Sequence, residues 1–94
     1  MLMRVRVIVV CAPHPRQEVE AALRAAGEQL ALTADSVSVT LQPTAPTVAT
    51  LEFEMHRTAQ YKVVDDISET VERCAWEFCQ DITVQFPKGW GAAN

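Results

Sequence analysis

The sequence predicts an α+β sandwich in which two helices cover one face of a four-stranded sheet. Three observations carry that expectation. Four windows alternate apolar and polar residues with the period of two that a half-buried strand needs, and two longer windows repeat apolar residues at helical spacing. The windows follow one another as strand, helix, strand, strand, helix, strand. The chain has 94 residues, enough for one hydrophobic core and too few for two.

Residues 4–11 form the first expected strand. Val5, Val7 and Val9 alternate with Arg4 and Arg6, and from Ile8 the alternation gives way to a solid apolar run, as a strand near the sheet centre requires. Pro13 and Pro15 end it by driving the residues before them into extended backbone. Pro15 suits the first position of a helix, where its missing N–H costs nothing. That helix is expected to reach about Leu32, with Val19, Ala22, Leu23, Ala26 and Leu30 on one stripe. Gly27 interrupts it at roughly 1 kcal/mol relative to alanine; in exchange the helix can lie close to whatever it packs on.

After a connector over residues 33–36, Val37, Val39 and Leu41 alternate with Ser38, Thr40 and Gln42. A proline-bounded turn over residues 43–46 leads to a return strand over residues 47–56, where Ala49, Leu51, Phe53 and Met55 alternate with Val48, Thr50, Glu52, Glu54 and His56. Two such runs across a short turn make a hairpin. The second helix is expected from a cap at Thr58 to about Cys79, with Tyr61, Val64, Ile67, Val71, Cys74, Ala75 and Phe78 as its stripe. A start at Asp66, with Glu69 completing a capping box, is the alternative. Ile82, Val84 and Phe86 alternate in a last strand that Pro87 ends. Residues 1–87 are therefore expected to form one domain and residues 88–94 a loose tail.

Right-handed crossovers turn this order into a ferredoxin-like βαββαβ split sandwich, an antiparallel-type sheet ordered 4-1-3-2 with both helices on one face. Strands 1 and 3 are expected as parallel neighbours at the centre. The helix-free face then carries Arg4 and Arg6 beside Glu52 and Glu54, a charge pairing that neighbouring strands favour by roughly 0.2–1 kcal/mol per pair. Polar residues dominate that face, except for a central cluster of Ile8, Val10 and Val48. An apolar patch on an open sheet suggests a partner surface or a ligand floor.

Composition narrows the function. Hydrophobic residues at 49% and charged residues at 21% are those of a globular chain. The formal net charge of −4 argues against nucleic acid, whose binding needs clustered cations. The longest apolar run, residues 7–13, is too short to cross a bilayer, and residues 1–6 lack the features of a secretory signal. Three cysteines, Cys11, Cys74 and Cys79, cannot close a disulfide framework. On one continuous helix Cys74 and Cys79 would point well apart at about 100° per residue. Free thiols fit a reducing, cytoplasmic setting.

The sharpest chemical constellation is Cys11-Ala12-Pro13-His14, placed where a helix dipole can depress a thiol pKa. It resembles the metal loop of heavy-metal-associated domains, which share the topology and use Met-x-Cys-x-x-Cys; Val9 stands at the Met position and His14 at the second Cys. The resemblance implies a soft-metal site on Cys11 and His14 with a third ligand. As a nucleophile and base the same pair lacks backbone donors for an oxyanion, because Pro13 and Pro15 remove two. No glycine loop cradles a phosphate, and no aromatic on the open face of strands 1 and 3 stacks a base. Binding is therefore expected rather than catalysis, with no cofactor, no nucleic acid and no membrane. The expected partner is a second copy or another protein, with a small ligand at the seam as in regulatory domains of this topology. The expected interface residues are Ile8, Val10, Val48, Thr50 and, from the tail, Trp90.

Overall fold

The computed structural model describes residues 2–56 and 60–87, with residues 60 and 61 by their backbone. The elements are β1 (Leu2–Cys11), α1 (Arg16–Leu30), a 3-10 turn (Ala34–Ser36), β2 (Ser38–Gln42), β3 (Thr47–His56), α2 (Gln60–Cys74) and β4 (Cys79–Gln85). The strands form one antiparallel sheet ordered β2-β3-β1-β4, the expected order read from the other edge. The expected cap at Thr58, the side chain of Tyr61 and the tail with Trp90 lie outside the described residues.

The direction of the central pair corrects the sequence reading: β1 and β3 run antiparallel, not parallel. The β2–β3 hairpin reverses the chain, and the crossover through α1 leaves β2 running the same way as β1. β3 must then oppose β1. One consequence is that His56 stands opposite Leu2 while Cys11 stands opposite Thr47, so His56 and Cys11 sit at opposite ends of the sheet.

Alternation in β1 and β3 sorts the two faces as expected. Met3, Val5, Val7, Val9 and Cys11 are buried, as are Ala49, Leu51 and Phe53, and all join one core with Val19, Leu23 and Ala26 of α1. Gly27 is the close approach that its position suggested. A Cβ built there would stand 2.8 Å from Val37 Cγ1 and 2.9 Å from Leu51 Cδ1. Pro15 is the N-cap rather than the first helical residue, its carbonyl accepting from the N–H groups of Glu18 and Val19. α1 ends at Leu30, two residues early, because Ala31 turns extended and the Leu32 N–H donates to the Glu54 carbonyl at 2.8 Å.

α2 differs from the expectation at two buried positions and in length. Of the expected stripe Ile67, Val71, Ala75 and Phe78 are buried; the difference lies at Val63, buried in place of the half-buried Val64, and at Thr70, also buried. The patterns through Val63 and through Val64 both repeat at helical spacing, and Thr70 satisfies its hydroxyl internally by donating to the Asp66 carbonyl at 2.8 Å. The helix stops at Cys74 rather than Cys79. Ala75 still donates to Val71, but the N–H groups of Phe78 and Cys79 both turn back on the Ala75 carbonyl, and Cys79 begins β4.

Candidate functional site

The helix-free face is built from strand register. Arg4, Arg6, Ile8 and Val10 of β1 stand opposite Glu54, Glu52, Thr50 and Val48 of β3. On the far side of β3, Ser38, Thr40 and Gln42 of β2 complete the rows. On the far side of β1, Gln85, Thr83 and Asp81 of β4 do so. Val10 and Val48 are therefore direct cross-strand partners, and Ile8 lies two residues along between Thr50 and Thr83. Ile8, Val10, Val48 and Thr50 are each half-buried. The structure brings four of the five expected interface residues into one patch, and adds the exposed Asp81 at its rim, which the sequence reading did not place there.

The charges beside this patch are arranged more tightly than strand pairing alone implied. Glu52 takes both guanidinium groups: Arg6 Nε donates to Oε2 at 2.9 Å, and Arg4 Nη2 lies 3.7 Å from Oε1. Arg4 also donates to the Ser36 carbonyl, and the Ser36 hydroxyl accepts from the Glu54 backbone N–H. Both arginine side chains remain about half-exposed, so each ion pair is worth at most about 1 kcal/mol. Their effect is to fix a mixed-charge row along one end of the face. A hollow of about 310 Å³ opens there, lined by Arg4, Arg6, Glu52, Gln85, Phe86 and Pro87.

Cys11 and His14 do share a cavity, of about 90 Å³, between the start of α1 and the β2–β3 turn, with Arg16, Val19, Leu41 and Thr47 among its walls. Both residues already have partners. Cys11, 1% exposed, directs its thiol to the Val9 carbonyl at 3.7 Å. His14 Nε2 lies 3.1 Å from Glu18 Oε1, and the imidazole rests on Phe78 with ring centroids 5.0 Å apart. Burial pushes the Cys11 thiol pKa up, and the nearby Cys79 sulfur adds to it; a hydrogen bond from the Ala49 backbone opposes them. The helix-dipole argument for an activated thiolate is thus outweighed by desolvation. Among the described residues, no three His, Cys, Asp or Glu side chains gather where they could hold a metal ion.

A second surface feature lies beside the end of α2, and nothing in the sequence pattern announces it. Trp76, 76% exposed, follows the end of α2 and borders a groove of about 430 Å³ with Ser68, Glu72, Cys79, Gln80, Asp81 and Ile82. The groove depends on the early end of α2, which no glycine or proline announces.

No protein-family model matches the chain, and no curated protein matches it as a relative. Among the described residues no helix is long and apolar enough to cross a membrane.

Proposed function

We propose that this is a binding domain that pairs its helix-free sheet face with the same face of a second copy. The observation that carries the reading is the direct opposition of Val10 and Val48 on the two central strands, with Ile8 beside them and polar residues on both flanking strands. An apolar centre inside a polar rim is the anatomy of a protein interface. Charge supports the choice of partner. The whole chain carries a formal −4, which repels another copy, yet the charged row on β1 and β3 is balanced, two arginines against two glutamates. A facing copy can offer a carboxylate to each guanidinium.

Val10→Lys and Ile8→Lys each place a charge in the apolar centre without touching the core. Each is expected to convert the dimer to monomer in size-exclusion chromatography while far-ultraviolet circular dichroism stays native. An unchanged elution volume in both variants would sink the reading. The hollow beside the charged row supports a ligand role for the same face: two guanidinium groups share the one carboxylate of its lining, which suits a small anionic molecule at the seam. Titration calorimetry with small carboxylates, repeated on Arg4→Ala, tests it; binding indifferent to that change contradicts it.

A further inference from the structure

Strand register sets two of the three thiols against each other. Cys11 of β1 stands opposite Cys79 of β4, across a bulge that skips Gln80. The backbone bonds around them identify the kind of pair. The Cys79 N–H donates to the Ala75 carbonyl at 2.9 Å, so it is not exchanged with Cys11, and the Ala12 N–H donates to the Phe78 carbonyl at 2.7 Å. These bonds are those of a non-hydrogen-bonded antiparallel pair, the type in which, in a regular ladder, Cα atoms come to about 4.5 Å and side chains lie closest. A disulfide spans Cα separations of about 4.4–6.8 Å. Both side chains lie on the helix side of the sheet, Cys11 inside the core and Cys79 half-buried against it. Cys74 is turned elsewhere, its sulfur accepting from Gln29 Nε2 of α1 at 3.5 Å.

We propose that Cys11 and Cys79 are a latent redox pair that closes to a disulfide on reaction with a low-molecular-weight disulfide such as oxidised glutathione. The Cys79 thiolate, which borders the open groove beside Trp76, attacks one sulfur of the oxidant and expels one glutathione thiolate. The Cys11 thiolate then attacks the Cys79 sulfur of this mixed disulfide and expels the second. The two protein thiols are oxidised, the oxidant is reduced to two molecules of glutathione, and the two protons pass to the leaving thiolates. The product ties the edge strand β4 to the central strand β1. Burial, together with Glu72 and Asp81 beside Cys79, pushes the Cys79 thiol upward as well, so the reaction should quicken as pH rises.

The test treats the reduced, folded protein with excess oxidised glutathione at mildly alkaline pH, traps remaining thiols with an alkylating agent, and weighs the intact chain. Loss of two hydrogens is expected in the native chain and in Cys74→Ser, and is expected to vanish in Cys79→Ser and in Cys11→Ala. Cys79 is half-buried at the sheet edge, so Cys79→Ser decides the matter should Cys11→Ala fold poorly. A bridge that persists in Cys79→Ser, a bridge that disappears in Cys74→Ser, or one that forms only in denaturant would overturn the proposal.

Discussion

Replacing Gly27 with alanine should destabilise this protein even though alanine is the better helix former. In an open helix the change would gain about 1 kcal/mol. Here the new methyl would sit 2.8 Å from Val37 Cγ1 and 2.9 Å from Leu51 Cδ1, about 1 Å inside ordinary carbon–carbon contact. Neither neighbour can step aside easily: Leu51 is wholly buried, and Val37 is β-branched and 6% exposed. Overpacking of this kind costs typically 1–3 kcal/mol, so after the propensity gain a net loss of about 1 kcal/mol is expected. For a domain of this size that lowers Tm by roughly 4–8 °C. Ala25, exposed on the same helix, supplies the control, since Ala25→Gly reports propensity without packing. Differential scanning calorimetry on both variants separates the terms. A Gly27→Ala protein with a raised Tm would refute the close α1–sheet contact.

Two further outcomes follow from the charged row and the thiols. A double-mutant cycle on Arg6→Ala and Glu52→Ala should give a coupling of about 0.5 kcal/mol that shrinks in high salt, since the pair is solvated; a coupling above about 2 kcal/mol would mean that it is not. Cys11 and Cys79 both bind their protons more tightly in the folded state than in the unfolded chain. The stability they contribute is therefore complete below the ordinary thiol value, about 8.5, and is lost as pH rises through their higher folded values. Tm should fall above about pH 9, and less steeply in the double variant Cys11→Ala, Cys79→Ser; equal slopes would contradict the sign.

The parts of the fold legible in the sequence are those written in the period of two. β3 was expected over residues 47–56 and spans Thr47–His56, because each of its side chains is committed to one face. Helical spacing is looser. The patterns through Val63 and through Val64 both look continuous, and a polar residue, Thr70, occupies a buried position that the pattern does not credit. The relative direction of β1 and β3 is not written in the charge pattern, because Arg-beside-Glu pairing looks the same in either direction; only the hairpin and crossover together decide it. The sheet-face cluster was legible for the same reason as β3. The facing of Cys11 and Cys79 was not, since it depends on a bulge between strands distant in sequence.

Sedimentation equilibrium of the unmodified chain over a wide concentration range weighs the sheet-face claim without any substitution. A species of twice the 10.4 kDa chain mass should accumulate with concentration, and should persist on raising salt because its centre is apolar. A constant single-chain mass throughout would leave Ile8, Val10 and Val48 as ordinary strand residues facing water.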